Sequence, residues 1–235
     1  MTEHTTPYLS KELLKRIKLI RRDFGNLLFH FTRRPSEPYI KVKTGNGISR
    51  QITARTASDV LSEILYDGKL KGTSTWSYGQ NCICFSESPI QELASLFSLV
   101  EIAASEKERP RYEPYGIAVS KKWFFGKGGR QVIYGRPDEF KYIHEDQKYR
   151  FVPYDPLHGM DFTWEREWRI KADELVLDPK QTLVIVPTAE EAFALVYEFA
   201  NIEPDGYDDD GNPEGLFHNP KWLAVALEIF GASPG

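Results

Sequence analysis

Two short segments hold the residues whose types and spacing suit chemistry best. His30 emerges from an apolar stretch, and a histidine at such a place can donate a hydrogen bond to a sugar hydroxyl or act as an acid or base. Thr32 follows at the strand period of two and points to the same side. Glu165 and Glu167 have the same spacing, and such a pair suits holding a hydroxyl while stabilising developing positive charge. We expect the two segments to meet in one site.

Each segment also has a purely structural interpretation. His30 can be a hydrogen-bonded histidine that only supports the fold. The two glutamates can belong to a charged edge strand in which Arg166 and Arg169 pair with them. The residues alone leave both interpretations open.

A second polar group follows the apolar residues 82–85. The segment Ser86-Glu87-Ser88 either forms the polar wall of a ligand cleft or caps the helix that begins after Pro89. Phe85 either stacks on a planar ring or packs in the core.

Basic and aromatic residues are mixed between positions 121 and 130. Lys121, Lys122 and Lys127 accompany Trp123 and Phe125. This composition suits single-stranded nucleic acid, through stacking and phosphate contacts, but it also suits an amphipathic segment that docks its aromatic side chains. A long basic loop, predicted over residues 33–55, is another candidate nucleic-acid surface.

Three patterns resemble known binding sites, but each lacks a residue or a spacing that the site needs. We therefore predict no metal site. Cys82 and Cys84 lack partner ligands, since the five histidines are scattered. In the acidic stretch that includes Asp208, the closing position of a calcium loop falls on Phe217, where a glutamate is needed. The glycines at 126–129 lack the spacing of a phosphate-binding loop.

Composition indicates a soluble domain with a real core. Hydrophobic residues make up 41% of the 235 residues, and charged residues make up 27%. The net charge of -4 excludes a global basic field. No apolar run is long enough for a spanning helix, and the first residues lack the features of a signal peptide. Cys82 and Cys84 fit reduced thiols, so we expect a cytoplasmic protein without a membrane partner.

The predicted elements mix short strands and helices without a regular βαβ alternation, which favours an α+β class. We predict helices over 10–23, from Thr56 or Ser58 through 65, over 90–105 and 189–200, and near 222–230. Asp67-Gly68 is expected to end the second of these helices. We predict strands over 27–31, 82–85, 115–119, 130–134, 168–170 and 182–186, and an acidic loop over 203–215.

The order of these features resembles the AbiGi family of abortive phage-resistance proteins. The resemblance covers roughly residues 27–171 and rests on these segments: His30-Phe31-Thr32, Ile64-Leu65, Asp67-Gly68, Cys84-Phe85-Ser86-Glu87, Tyr115-Gly116-Ile117-Ala118-Val119, Lys122-Trp123, Val132-Ile133-Tyr134 and Glu165-Arg166-Glu167-Trp168-Arg169. It implies a role in anti-phage defence with a cognate toxin or antitoxin as partner.

The same order resembles, more loosely, an ADP-ribosyltransferase core and the nucleic-acid-modifying DarT toxins. That resemblance implies a split β-sheet with flanking helices that binds NAD as substrate in a cleft. It implies that His30 holds the adenosine-side ribose, while Thr32 and the backbone of Phe31 lie near the nicotinamide amide. Glu167 would hold the nicotinamide ribose hydroxyl and stabilise an oxocarbenium-like centre, with Glu165 as helper.

This chain departs from both branches of that fold. Cys84 stands where many such transferases carry a stacking tyrosine, so Phe85 would supply the stacking and Ser86 the polar contact. Arginine-specific transferases share the paired glutamates and the serines but begin with arginine instead of His30. The implied activity is transfer of ADP-ribose to a nucleic-acid or protein target. The alternative is a non-catalytic antitoxin or sensor on the same fold.

The implied organisation has three parts. Residues 1–25 form an N-terminal helix, and residues 26–187 form the ADP-ribosyltransferase-like core. Residues 188–235 form a C-terminal helical segment with the acidic loop.

Overall fold

The computed structural model describes residues 10, 13, 16, 17, 25–34, 39–43, 49–75, 77–97, 112–215 and 217–230. Most of the helix predicted over 10–23 lies outside these residues. In the part of the chain that is described, strands and helices alternate irregularly, and the predicted α+β class is confirmed. No helix there is long and apolar enough to cross a bilayer.

The secondary-structure elements are short. The strands are β1 Leu27–Phe31, β2 Tyr39–Lys43, β3 Ser49–Ala54, β4 Lys69–Lys71, β5 Cys82–Ser86, β6 Gly116–Ser120, β7 Arg130–Gln131, β8 Ile133–Gly135, β9 Phe151–Pro153, β10 Glu167–Lys171, β11 Glu174–Val176, β12 Thr182–Val186, β13 Ala200–Glu203, β14 Gly206–Tyr207, β15 Pro213–Glu214, β16 Phe217–Pro220 and β17 Leu223–Ala226. The α-helices are α1 Ala57–Asp67, α2 Ile90–Phe97, α3 Lys121–Gly126 and α4 Ala189–Glu198. Turns of 3₁₀-helix cover Pro137–Tyr142, Glu145–Arg150, Pro156–His158, Thr163–Glu165 and Leu227–Phe230.

Among the described residues, seven strands form the main sheet in the order β17-β12-β6-β1-β5-β10-β7. The β12–β17 pair is parallel and the other neighbours are antiparallel. β1 pairs with β6 along its whole length, and β10 does the same with β5. Between β1 and β5, both fully described, the register holds at Phe29 and Ser86 alone. The two halves of the sheet therefore diverge beyond that point.

Each face of the sheet buries its own apolar cluster. The larger cluster packs Leu61 and Leu65 of α1 and Leu195 of α4 against one face. The smaller cluster packs Leu93 and Phe97 of α2 against the other. Full burial of such a side chain stabilises the fold by roughly 1.5–3 kcal/mol, so both faces are fixed and the direction of every strand residue is determined.

Helix α1 begins and ends as its sequence predicts. Thr56 accepts a hydrogen bond from the backbone of Asp59, whose carboxylate accepts one in return from the backbone of Thr56. This reciprocal cap satisfies two amides at the helix start. Gly68 closes the helix at φ 65°, a left-handed conformation that glycine adopts without a Cβ penalty.

Several predicted elements are different in the structure. The loop predicted over 33–55 contains the antiparallel pair β2–β3. The helix predicted near 222–230 is instead β17 followed by a 3₁₀ turn, because β17 pairs in parallel with β12 and extends the main sheet. The strand predicted over 130–134 is interrupted at Val132, whose amide donates to Glu167 O. Helix α2 is described as far as Phe97, and the rest of the helix predicted over 90–105 lies outside the described residues.

Candidate functional site

Strand register decides which predicted site residues share a face. Phe29 of β1 lies opposite Ser86 of β5, and Ser86 lies opposite Glu167 of β10. Residues opposite one another in an antiparallel ladder point to the same face, so these three form one row. His30 and Phe85 are the next residues along their strands and therefore point to the other face, where their ring centroids are 5.4 Å apart.

The prediction that His30 and Glu167 face one cleft is therefore wrong. The strands that carry them are separated only by β5, but the two side chains lie on opposite sides of the sheet. The structure brings the predicted residues together in two separate pairs. His30 lies with Phe85 on one face, and Ser86 lies with Glu167 on the other.

His30 has the geometry of a structural histidine. Its Nδ1 lies 2.8 Å from the carbonyl oxygen of Cys84. Because a carbonyl only accepts, Nδ1 carries the proton, and the neutral ring keeps Nε2 as an acceptor. Burial lowers the pKa of His30, an effect that the bond to Cys84 only partly offsets. The ring is therefore neutral near pH 7 and joins β1 to β5 where their backbones diverge.

The other predicted cofactor residues of β1 are engaged in the fold. The hydroxyl of Thr32 lies 2.8 Å from Ala57 O and 2.9 Å from Tyr115 O, where it connects the end of β1 to α1. The side chain of Phe31 packs edge-on against Phe97, with ring centroids 4.9 Å apart, and its backbone, the part predicted to lie near the nicotinamide, pairs with Gly116 of β6. Neither side chain is presented to a ligand in this arrangement.

Glu167 forms a bidentate ion pair with Arg169, which lies on the same strand. Arg169 donates from Nε to Oε1 at 2.7 Å and from Nη2 to Oε2 at 3.0 Å. The side chains of Glu167 and Arg169 are 11% and 5% exposed. Arg169 also donates from Nη1 to Tyr149 O at 2.8 Å. Burial opposes its charge, but the bond and the charge of Glu167 outweigh this effect and hold the pKa of Arg169 above its ordinary value.

The two glutamates do not form an extended pair. Glu165 ends a 3₁₀ turn and is buried, whereas Glu167 begins β10. Between them, Arg166 adopts φ 45° and ψ 50°, a left-handed conformation that breaks the alternation of a strand. The expectation that both carboxylates face one way is therefore wrong, because it assumed continuous strand geometry.

Ser86, at the end of β5, and Ser88, just after it, hold this turn in place, a role that the sequence did not indicate. Ser86 Oγ donates to Glu165 O at 2.6 Å, and it accepts from the backbone of Ser88 at 3.2 Å. The Ser88 hydroxyl donates to Trp164 O. The two hydroxyls thus fix the backbone that precedes Glu167, so Ser86 serves as a positioning residue.

A buried carboxylate from the polar stretch that follows Phe85 lies on the His30 face. Glu87 is 8% exposed and accepts from Trp168 Nε1 at 2.7 Å. Lys121 forms an ion pair with its other oxygen, and Gln131 approaches at 3.4 Å. A buried carboxylate is stabilised by such partners, and here they join β5, β10 and the start of α3. All of the partners are distant in sequence, so no local pattern could have revealed the cluster.

The two cysteines form a coupled pair on the Glu167 face. Their Sγ atoms are 3.9 Å apart. The thiol of Cys84 donates to the sulfur of Cys82 and so lowers the pKa of Cys82 to about 6. The same hydrogen bond, together with burial, raises the pKa of Cys84. The pair therefore holds one shared proton near neutral pH.

We expect this pairing to make stability rise with pH between about 6 and 9. In that range the unfolded chain keeps the Cys82 proton that the folded protein has released, so the free energy of unfolding increases as pH rises. The gain is lost as pH falls through 6. Above pH 9 the trend reverses, because Cys84 stays protonated only in the folded state. Urea unfolding across this pH range measures the effect, and Cys82→Ala should remove the rise. A midpoint near 9 in the 240 nm thiolate absorbance would contradict it.

Two cavities lie near these residues. A cleft of about 180 Å³ is lined by residues that include Phe29, Ser88 and Ile90. It is smaller than the roughly 300–1,000 Å³ of typical small-molecule sites.

An open bowl of about 520 Å³ lies at the end of β6 and along α3. Within the described ranges, no group of histidine, cysteine and carboxylate side chains could hold a metal ion.

The chain matches no family model, no curated protein and no solved structure.

Proposed function

We propose that this chain is an anti-phage defence protein whose ADP-ribosyltransferase-like sheet serves as a non-catalytic antitoxin or sensor module. The observation that carries this proposal is the closed Glu167–Arg169 ion pair, with His30 on the opposite face of the sheet.

The carboxylate of Glu167 has no oxygen that is free to contact a substrate. A transferase carboxylate must accept a ribose hydroxyl and approach a developing positive charge, which requires an accessible oxygen. Both oxygens of Glu167 accept from Arg169, which is itself fixed on Tyr149. A histidine that shares the ligand must lie on the same side of the sheet, and His30 does not.

The described arrangement of these residues supports a module that does not bind NAD. The hydroxyls of Thr32 and Ser86 are bonded to backbone carbonyls, and the cleft beside Phe29 holds about 180 Å³. A dinucleotide needs a larger site, so binding would require the turn before Glu167 to move. For this reason we derive no reaction step through NAD.

The second candidate function is transfer of ADP-ribose from NAD to a nucleic-acid or protein target. A specific observation favours it: the first, a middle and a late strand of the core, β1, β5 and β10, are neighbours in the sheet. Glu167 begins β10 directly opposite Ser86, and β1 diverges from β5 beyond one residue pair, as in a split sheet. On this hypothesis Arg169 releases Glu167 when NAD binds.

Calorimetric titration with NAD and chromatographic assay of nicotinamide release distinguish the two functions. We expect no NAD binding and no release above a protein-free blank for the native chain, for Glu167→Gln and for the matched control Glu174→Gln. Glu174 suits the control because it is an exposed glutamate paired with Lys69 on a separate two-stranded sheet. Release that Glu167→Gln abolishes and Glu174→Gln preserves would overturn the non-catalytic proposal and establish the transferase.

A further inference from the structure

The bowl at the end of β6 has a basic and aromatic lining. Its volume of about 520 Å³ falls within the range of small-molecule sites. The described residues that line it are Ser120, Lys122, Trp123, Gly126, Lys127 and Gln181, and none of them is acidic. A ligand here meets two cations, an indole ring, a hydroxyl and an amide.

The indole is a fixed surface and the lysines are adjustable. Trp123 packs partly against the larger core cluster, which restricts its ring, while Lys122 and Lys127 are exposed. The ammonium of Lys127 lies 5.8 Å from the centroid of the Trp123 ring. Its long side chain can move from the ring to an adjacent anion at little cost, because the ammonium remains in water.

A second aromatic surface lies on the same short helix. The ring of Phe125 is 52% exposed, and the guanidinium of Arg130 lies 4.2 Å from its centroid. Arg130 is held there because it donates to Phe125 O at 3.0 Å and to Gly129 O at 2.8 Å. Two aromatic surfaces, each accompanied by a cation, therefore occur within ten residues.

We propose that this surface binds single-stranded nucleic acid. One base stacks on Trp123 in the bowl while its phosphate lies between Lys122 and Lys127, and a neighbouring nucleotide contacts Phe125 and Arg130. Stacking tolerates any base, since every base has a flat π-face, and the lysines neutralise the backbone. Trp123 and Phe125 are two residues apart on α3 and point to different sides of it, so a ligand that reaches both must be a strand that passes around the helix, and a free mononucleotide cannot do this.

The net charge of -4 is an average over the chain, because many acidic residues are concentrated in one stretch. Residues 188–220 contain nine of the 34 acidic residues and none of the 30 basic ones. The remainder therefore has 30 basic and 25 acidic residues, a net charge of +5. The bowl belongs to this basic part, and exposed charges beyond about 10 Å are largely screened at 0.1 M salt.

Fluorescence anisotropy with a labelled dodecathymidylate tests the proposal on the full chain without NAD, so its outcome is independent of the function proposed above. We expect Lys122→Gln/Lys127→Gln to weaken binding at least 10-fold. The slope of log affinity against log salt should fall by about 1.4, because each phosphate that a lysine neutralises on a single strand contributes roughly 0.7. Phe125→Ala should weaken binding roughly 5- to 100-fold, the range for one stacked base.

The matched control is Lys141→Gln/Lys171→Gln, which removes two exposed lysines outside the bowl. Lys141 is a suitable member because its ammonium lies 4.9 Å from the Tyr142 ring, so it belongs to a similar cation–aromatic pair. We expect this control to bind within about twofold of the native chain, apart from the loss of nonspecific charge. An equal loss in both double variants would overturn the proposal.

Two competitors distinguish other occupants of the bowl. If thymidine monophosphate competes as tightly as the oligonucleotide, the ligand of the bowl is a free nucleotide, and the proposal of a strand is wrong. If polyglutamate competes as tightly, the ligand is an acidic protein segment, and the proposal of a nucleic acid is wrong. No binding of the oligonucleotide at 50 mM salt and 100 µM protein would overturn the proposal outright, whereas weak competition by both ligands supports it.

Discussion

Arg169→Met is expected to destabilise the protein by about 3–5 kcal/mol, which is the usual cost of removing one partner from a buried ion pair. The substitution leaves the carboxylate of Glu167, whose side chain is only 11% exposed, without the two hydrogen bonds that now satisfy it. It also leaves Tyr149 O without its donor. Methionine fills much of the same volume, so the loss of stability comes from the unpaired charge of Glu167 and not from a cavity.

Urea unfolding of a double-mutant cycle measures this effect. Glu167→Gln combined with Arg169→Met should be more stable than Arg169→Met alone, since the double variant buries no unpaired charge. The control is Arg136→Met, because Arg136 forms an exposed ion pair with Asp138 and its loss should change stability by about 0.5 kcal/mol or less. Equal losses for Arg169→Met and Arg136→Met would contradict the buried-pair account.

The cycle also bears on function. If Arg169 closes the site by occupying Glu167, the stability of the pair is the free energy that any ligand must overcome to reach that carboxylate. An interaction of several kcal/mol reduces the apparent affinity of such a ligand by orders of magnitude, since each 1.4 kcal/mol is a factor of ten. This relation connects a stability measurement to the non-catalytic proposal.

Period-two reasoning was accurate only within a regular strand. Glu167 and Arg169 are two residues apart on β10 and share a face, so the predicted pairing of Arg169 with an acid is confirmed. The edge strand predicted with that pairing is wrong, because β10 lies between β5 and β7. The same reasoning failed for Glu165, because the left-handed conformation of Arg166 separates it from the strand. Arginine is not a residue type that indicates such a conformation, so the sequence offers no signal for it.

The relation between His30 and Glu167 depends on pairing between strands and not on either strand alone. His30 was correctly assigned to a strand, and Glu167 lies one residue before the strand predicted over 168–170 and begins β10. Their faces depend on how Phe29, Ser86 and Glu167 align across β1, β5 and β10. A shift of one residue in either ladder would reverse the outcome. Local sequence carries no measure of that alignment, which is decided by burial on both faces of the sheet.

The C-terminal prediction failed for a related reason. A short apolar run such as residues 222–230 does not distinguish a buried helix from a buried strand by periodicity. The edge of β12 decides the outcome, because β17 satisfies its backbone groups by pairing there in parallel. Helix α1, by contrast, carries its own start and stop signals in Thr56, Asp59 and Gly68, and the sequence predicted it well.

Gly116→Ala is expected to destabilise the fold by about 3 kcal/mol or more. A Cβ at this position would lie 2.4 Å from His30 O and 2.9 Å from the Cα of Phe31. Both are backbone atoms, so no side-chain rotation relieves the overlap. Gly116 pairs with Phe31 on one side and with Ile185 on the other, and shifting β6 away from β1 pushes it into β12. Overpacking of this kind costs about 1–3 kcal/mol where neighbours can adjust, and more where they cannot.

Gly68→Ala provides the matched control, because it adds the same methyl group without a clash. Gly68 has φ +65° and nothing within 4 Å of the added Cβ, so only the left-handed strain of about 1–2 kcal/mol applies. Thermal or urea unfolding of the two variants separates overlap from strain. Since the methyl group would press on the strand that carries His30, chemical shifts of the His30 ring should change in Gly116→Ala and not in Gly68→Ala. Equal destabilisation of the two variants would show that β1 and β6 can move apart. In that case the close approach of these strands would not be the reason that His30 stays on its face of the sheet.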